Sequence, residues 1–287
     1  PARSVLAPHP TDLAPGLTVI LSGHLSPPDG PVEPGGFDFQ RLAWFSGLGG
    51  VGYTRSPVLA LRPPEGGLPL LAFRLRMRLS QAMQAAIPGQ AGAFASAMMT
   101  GDRAGMTQAT NDVLRASNLS HLISISGLHM GLLVGFIFAT CRYGLALVPP
   151  LALRLNTKKL AALVALTAAA FYLILAGPNV ATRRAFIMAA VMLLAVLADR
   201  RAISLRSVAI AALSVLCLEP ESLIEPGFQM SFGATVALIV SFRPWQRVQA
   251  HVPKLLRPAA MMVLSSLAAG SATAPIAAAH FNRIAEY

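Results

Sequence analysis

Residues 121–136 read HLISISGLHMGLLVGF, and this stretch determines the class of the chain. Its second half is apolar enough to enter a lipid bilayer, whereas its first half carries serines and histidines that a simple anchor would not need. Of the 287 residues, 54% are hydrophobic and only 12% are charged, and the mean hydropathy is +0.59. A soluble domain needs more polar residues to wet its surface. The composition therefore predicts a membrane protein.

Apolar runs free of Asp, Glu, Lys and Arg dominate the chain from residue 116 onward. The six runs are 116–141, 160–182, 185–198, 207–218, 226–242 and 258–282. A straight helical span of the hydrocarbon core needs ~20 residues at ~1.5 Å each, so the third and fourth runs are short. Short or interrupted helices around a polar interior are typical of transporters. We expect a mainly α, polytopic helical membrane bundle.

The first sixty residues have a different pattern. Residues 17–25 and 52–61 alternate like β-strands, and the turn-rich residues 27–40 separate them. These features predict a small β module over residues 1–62. Residues 63–90 then comprise a Pro/Gly linker and an amphipathic helix flanked by Arg74, Arg76 and Arg78. Its apolar face predicts a helix lying along the membrane surface, and the alternative is a helix packed on the β module. That face consists of Leu71, Leu75, Leu79, Met83 and Ala86.

The distribution of charge predicts an orientation. The chain has 23 Lys plus Arg against 12 Asp plus Glu, a net charge of +11, which suits contact with lipid headgroups or with a polyanion. The connections after the first, third and fifth runs hold four, three and four basic residues. The alternate connections hold Arg183 and Arg184, and then Glu219, Glu221 and Glu225. The positive-inside tendency places the basic connections in the cytoplasm and the β module outside the membrane.

Two faces are expected on the helix that begins near residue 127. Gly127, Gly131 and Gly135 are four residues apart and predict an edge for close helix packing. Ser126 and His129, three residues apart, share a different, polar face. Three interpretations of this pair stay open: a nucleophile with its base, hydrogen bonds between helices, or the lining of a hydrophilic conduit.

Other polar residues stand within or beside the later runs. Gln229 and Ser231 follow a helix start that Pro226 and Gly227 would define, and Thr273 and His280 lie on one side of the last run. Arg183 and Arg184 are the most costly residues to place at the membrane. They are expected either to contact a polyanionic substrate or to extend towards lipid headgroups. The two cysteines, Cys141 and Cys217, lie in apolar stretches and imply no disulfide or metal site.

At these residues the chain resembles the ComEC family of bacterial competence proteins, and specifically its competence membrane domain. The motifs that carry the resemblance are ASAMMTGDRAGM (95–106), SNLSHLISISGLHMGLL (117–133), FYLILAGPNVATRRAFIM (171–188), EPESLIEPGFQMSFGA (219–234) and TAPIAAAHFNRIAEY (273–287). PGGFDF (34–39) resembles the last part of the family's extracellular OB-like domain. We therefore expect a partial OB-like module over 1–62 and a competence membrane domain over 91–287. That domain would hold about six apolar segments and be truncated at its C-terminus.

The resemblance implies an inner-membrane channel subunit that passes single-stranded DNA into the cytoplasm during natural transformation. It implies membrane lipid, a DNA-delivering receptor outside, a cytoplasmic ATPase inside and a second copy of the chain as partners. No cofactor or metal is implied. The candidates for the DNA path or for polar contacts in the bundle are Ser124, Ser126, Gly127, His129, Arg183, Arg184, Gln229, Ser231, Thr273 and His280. Arg41, Trp44, Tyr53 and Arg55 are the candidate DNA contacts of the β module.

Two alternatives to a DNA channel remain at the level of sequence. One is an intramembrane serine hydrolase that uses Ser126 and His129, and the other is a transporter of a small solute. The sequence contains no HxHxDH-type metal cluster, so the nuclease-like domain of some family members is not expected here. We expect the chain not to be an enzyme.

Overall fold

The computed structural model describes residues 16–33, 36, 38–62, 66–117, 119, 127–177 and 179–281. It divides into two compact units, Pro1–Leu75 and Arg76–Tyr287. The described residues form four short strands and eleven α-helices, so the predicted mainly helical class is confirmed. The helices are α1 (Phe39–Phe45), α2 (Leu68–Ala86), α3 (Gln90–Thr100), α4 (Gln108–Ala116), α5 (Gly127–Ala146), α6 (Pro149–Arg154), α7 (Thr157–Ala176), α8 (Val180–Leu197), α9 (Leu205–Leu218), α10 (Pro226–Val248) and α11 (Arg257–Phe281).

The first unit contains two separate antiparallel strand pairs. Strand β1 (Thr18–Ile20) pairs with β4 (Leu59–Arg62), and β2 (His24–Ser26) pairs with β3 (Val51–Tyr53). Each strand-like segment of the sequence is thus broken in two. At the break, the Ser22 amide donates to Ser56 Oγ at 3.0 Å, and Ser56 Oγ donates to the Ser22 carbonyl at 2.9 Å. Side-chain hydrogen bonds replace the backbone ladder there, which explains the interruption.

Four helices are long and apolar enough to cross a membrane. They are Gly127–Ala146, Thr157–Ala176, Val180–Leu197 and Arg257–His280. The six expected runs appear as six helices, but α9 has only 14 residues, or about 21 Å of length, and α10 contains Pro244 and basic residues in its second half. The four spans in the described part of the chain make this a multi-pass membrane protein.

Helices α5, α7 and α8 pack against one another through a face of small residues on α7. Five alanines of α7 are fully buried and let the neighbouring backbones approach closely. They are Ala161, Ala162, Ala165, Ala169 and Ala176. Larger side chains of α5 fill the space beside them, including Met130, Val134 and Ile137.

The structure does not place the predicted glycine edge of α5 at a helix contact. Gly127, Gly131 and Gly135 are exposed, and no atom of the described residues lies within 4 Å of a Cβ added at any of them. The physical reason is that α5 buries its larger residues against the alanines of α7. The glycines therefore lie outside the contacts that hold α5 in the described part of the chain.

A second apolar cluster joins α8, α9 and α10. Val208, Ala211 and Val215 of α9 are buried against Phe228 and Phe232 of α10, whose rings are tilted with centroids 4.5 Å apart. Helix α11 packs along α10. This cluster fixes the first turns of α10 beside α8, where the polar residues of the bundle collect.

The amphipathic helix α2 buries its polar side. Ser80 is fully buried, and its hydroxyl donates to Asp102 Oδ2 at 2.5 Å and accepts from Ser96 Oγ at 2.8 Å. Leu71 and Leu75 are 61% and 40% exposed. The membrane-surface interpretation of this helix stays a prediction.

Candidate functional site

The first turn of α10 collects polar residues from three parts of the chain. Helix α10 begins at Pro226, where the fixed φ of proline suits the first helical position, and a 3₁₀ turn over Pro220–Ile224 precedes it. This turn brings the carboxylates of the 219–225 segment beside the start of α8. We call the group the α10 cluster; its members are Arg183, Arg184, Glu219, Glu225, Gly227, Gln229 and His280.

Arg184 is the buried cation of this cluster. The residue is 8% exposed, and its Nη1 donates to Glu225 Oε2 at 3.3 Å. Arg183 forms an ion pair with Glu219, whose side chain is 12% exposed. Burying a charge without a partner would cost several kcal/mol, so Glu225 makes the buried position of Arg184 tolerable, whereas Arg183 remains exposed.

These pairs add carboxylate partners that the sequence analysis did not foresee for Arg183 and Arg184, and the two alternatives stay predictions. The sequence left polyanion contact and extension to headgroups open, and the structure shows Arg184 turned into the protein. The reason is that the turn before α10 supplies two carboxylates within reach of two adjacent guanidinium groups. Within the described residues, Arg184 Nε is buried without a hydrogen-bond partner, and so is the hydroxyl of Thr182 in the same turn of α8. The α10 cluster therefore keeps unused donor capacity.

Gly227 provides the surface on which the Arg184 guanidinium lies. A Cβ added at residue 227 would be 2.7 Å from Arg184 Nη2, 3.2 Å from Nη1 and 3.3 Å from Cζ. Real Cβ atoms essentially never approach other heavy atoms to less than 3.0 Å. Glycine thus lets a charged group approach the backbone closely here, and a larger residue would require the guanidinium to shift.

Gln229 connects α10 with the end of α11. Its Nε2 donates to the Leu223 carbonyl at 3.1 Å, which orients the amide and leaves Oε1 facing His280 Nε2 at 3.1 Å. Because an amide oxygen only accepts, His280 donates from Nε2. Two of the candidate residues named from the sequence, Gln229 and His280, thus contact each other across α10 and α11.

Two other predicted residues lie outside the α10 cluster. The Thr273 hydroxyl donates to the Ala269 carbonyl of its own helix at 2.9 Å. Ser231 is exposed on α10, and its carbonyl accepts from the Thr235 hydroxyl at 2.8 Å. Bonds of this kind satisfy a hydroxyl within one helix and join no neighbouring helix.

The start of α5 lies close to the pair formed by Arg184 and Ala185. Met130, which is 1% exposed, packs with Ala169 and Ala185 in one buried cluster. His129 is half-buried beside it. Ser124 and Ser126 lie outside the described residues, so the predicted pairing of Ser126 with His129 stays a prediction. The structure does bring the GLHM segment of α5 next to the arginine-bearing turn of α8.

The first unit holds an exposed aromatic and cationic group. Tyr53 is 59% exposed, Arg55 Cζ lies 5.5 Å from the centre of its ring, and the His24 ring lies 5.8 Å away. Trp44 on α1 is 80% exposed, and Arg41 is exposed on the same helix. Among the described contacts, none joins Arg41 or Trp44 to Tyr53 and Arg55. The four candidates thus form a pair on β3 and its following loop, and two single residues on α1.

Sequence reasoning missed the roles of Glu219 and Glu225 as partners of the arginines. The signal was present, because EPESLIEPG and the ATRR segment were assigned to connections on the same side of the membrane. Opposite charges on one side of a bundle are candidates for pairing. The sequence pattern gave no comparable indication that Gly227 contacts the Arg184 guanidinium, since a glycine beside a proline normally marks a turn.

Comparison with known proteins assigns the family. A model of the Competence protein family matches residues 98–287. The chain is 25% identical over 278 residues to ComE operon protein 3 of Bacillus subtilis (strain 168), covering 94% of this chain and 32% of that protein. It is 28% identical over 221 residues to Competence protein ComA of Neisseria gonorrhoeae, covering 76% of this chain and 31% of that protein. It is 29% identical over 210 residues to Recombination protein 2 of Haemophilus influenzae, covering 73% and 25%.

The chain therefore spans a third or less of the length of these relatives. No solved structure matches it. The motifs that meet at the start of α10, and the family match over residues 98–287 of the 287, lead to one conclusion: the chain belongs to the ComEC family of competence proteins.

Proposed function

We propose that the chain forms part of a channel in the bacterial inner membrane that passes single-stranded DNA into the cytoplasm during natural transformation. The observation that carries the proposal is the α10 cluster, in which polar residues from α8, α10 and α11 meet at one end of an apolar bundle. Phosphates cannot cross lipid without a polar, hydrated path, because an unpaired charge in hydrocarbon is prohibitively costly.

The two ion pairs suit the passage of a polyanion better than its retention. Arg183 and Arg184 attract phosphate, while Glu219 and Glu225 neutralise them when no phosphate is present. Conduction requires contacts that are favourable enough for entry and weak enough for release. Carboxylates that compete with each passing phosphate for the same guanidinium groups meet that requirement.

The charge pattern supports an orientation for this channel. The α7–α8 and α9–α10 connections, which lie next to the α10 cluster, alternate with the strongly basic connections that the positive-inside tendency assigns to the cytoplasm. The α10 cluster would then face the outside, where DNA arrives, and the N-terminal β module would be extracytoplasmic. There Tyr53 with Arg55 supplies a stacking face and a cation for single strands.

Further partners belong to the proposal. A receptor outside would deliver the DNA, a cytoplasmic ATPase would supply the driving force, and a second copy of the chain would complete the path. We propose a transport role without catalysis or a cofactor. The hydrolase alternative depends on Ser126, which lies outside the described residues, whereas the channel proposal is argued from the α10 cluster.

Thiol labelling tests this proposal at the α10 cluster. Leu223 is 55% exposed next to the cluster, and Leu147, 83% exposed after α5, lies on the opposite, basic side. In a chain with Cys141→Ser and Cys217→Ser, a membrane-impermeant maleimide added outside should label Leu223→Cys and spare Leu147→Cys. Single-stranded DNA should slow the labelling of Leu223→Cys several-fold. Labelling from the cytoplasmic side alone, or labelling that DNA leaves unchanged, would refute the proposed entrance.

A further inference from the structure

A cavity of about 720 Å³ opens between the end of α8 and the start of α9, away from the α10 cluster. One wall is apolar and the other is basic. The residues that matter for its chemistry are Val191, Leu194, Ile210, Arg200, Arg201 and Arg206. The proposed function assigns it no role.

In the part of the chain that the structure describes, no carboxylate pairs with the arginines of the basic wall. Within the described residues, none of the guanidinium groups of Arg200, Arg201 and Arg206 takes part in an ion pair. Asp199 also lines the cavity, but Lys159 Nζ binds its Oδ2 at 2.6 Å. The hydrogen bond from Lys159 lowers the pKa of Asp199, so this carboxylate is ionised and already engaged. Three arginines thus leave their charge available to an anion.

The apolar wall belongs to helices of the membrane bundle. Leu194 on α8 is 52% exposed, and Ile210 on α9 is 48% exposed. Val191 lies one turn before Leu194 on α8. A ligand that fills this cavity must therefore satisfy cationic groups at one end and apolar side chains along its length. An amphiphile with an anionic head has that chemistry.

We propose that this cavity binds an anionic phospholipid, with its phosphate on Arg200, Arg201 and Arg206 and an acyl chain along Val191, Leu194 and Ile210. Basic pockets between membrane helices on the cytoplasmic side bind anionic headgroups, and the α8–α9 connection is on the side assigned to the cytoplasm. Single-stranded DNA is a poorer match. It is held largely by stacking on aromatic side chains, and none of the residues that line this cavity is aromatic. The proposal does not depend on DNA transport.

Lipid retention by the full chain tests the proposal. The purified chain in detergent is delipidated, incubated with phosphatidylglycerol or phosphatidylcholine, and examined by native mass spectrometry. The combined variant Arg200→Gln, Arg201→Gln and Arg206→Gln should lose at least about tenfold in phosphatidylglycerol affinity, since each basic residue near an anionic headgroup contributes. Phosphatidylcholine should be held weakly by all variants.

A matched control removes the same charge elsewhere. Arg243→Gln, Arg247→Gln and Lys254→Gln together lower the charge equally on the same side of the membrane, outside the cavity. This control should retain phosphatidylglycerol as the original chain does. The three single arginine variants should each show a partial loss, so the test does not depend on the combined variant folding.

Three results would overturn the proposal. Equal losses in the cavity variant and the control variant would show that general charge is responsible. Displacement of the lipid by glycerophosphoglycerol at equal concentration would show that the apolar wall contributes nothing. Displacement by an oligodeoxythymidylate in a manner that depends on the three arginines would assign the cavity to nucleic acid.

Discussion

An Arg184→Ala variant is expected to abolish DNA uptake and to lower the free energy of unfolding by about 2–4 kcal/mol. The loss follows because Glu225, whose side chain is 26% exposed, would be left without its cation. Uptake of labelled DNA into the cytoplasm and unfolding of the chain in detergent are the two measurements. A protein made in normal amounts that takes up DNA at the original rate would contradict the assigned role.

Two conservative changes distinguish the effect of the ion pair on DNA uptake from its effect on the free energy of unfolding. Arg184→Lys keeps the charge but loses the planar fork, so it should recover much of the stability and only part of the uptake. Glu225→Gln removes the competing carboxylate and should strengthen DNA binding while slowing passage. Arg115→Ala serves as the matched control, because its pair with Asp112 is 69% and 57% exposed, and the change should leave both measurements unaltered.

A Gly227→Ala variant is expected to lose about 1–3 kcal/mol of stability through overpacking against the Arg184 guanidinium. Gly233→Ala on the same helix is the control, since a Cβ there would be 3.7 Å from Ile276 Cδ1, an ordinary contact. Alanine is the better helix former, so Gly233→Ala should be neutral or stabilising. Thermal unfolding of both variants in detergent gives the comparison.

A double-mutant cycle identifies the cause of the Gly227→Ala effect. In an Arg184→Ala background the guanidinium is absent, so adding Gly227→Ala should cost nothing further. If Gly227→Ala lowers the free energy of unfolding equally with and without Arg184, the backbone around residue 227 is responsible. The proposed contact between residue 227 and the Arg184 guanidinium would then not be the cause.

Hydropathy and charge were sufficient to predict the helical class. In a bilayer every backbone N–H and C=O group must be hydrogen-bonded within the protein, and a helix meets that requirement within one segment. The polar residues on α8, α10 and α11 were also identifiable from their cost in lipid. Their partners were harder to predict. Arg184 and Glu225 are 41 residues apart, and no periodicity relates them. Only the packing of α9 and α10 against α8 brings them together.

The glycines of α5 illustrate a limit of pattern reasoning. A repeat of Gly127, Gly131 and Gly135 permits close helix approach, but it does not determine which neighbour approaches. The alanines of α7 serve that purpose in the described residues, because they are flanked by α5 and α8 in sequence and in space. Likewise, the β module was predictable as strand-rich, whereas α1 was not, since the Asp38 side chain that caps it lies in a turn-rich segment.

Crosslinking of incoming DNA tests most directly whether the α10 cluster lies on the DNA path. p-Benzoylphenylalanine is placed at Ile224, which is 52% exposed beside Glu225, and as a control at Phe171, which is 57% exposed on α7. During uptake of labelled DNA, irradiation should crosslink single strands to residue 224 and not to residue 171. Uptake that proceeds normally without any crosslink at residue 224, or with equal crosslinks at both residues, would contradict the proposed path.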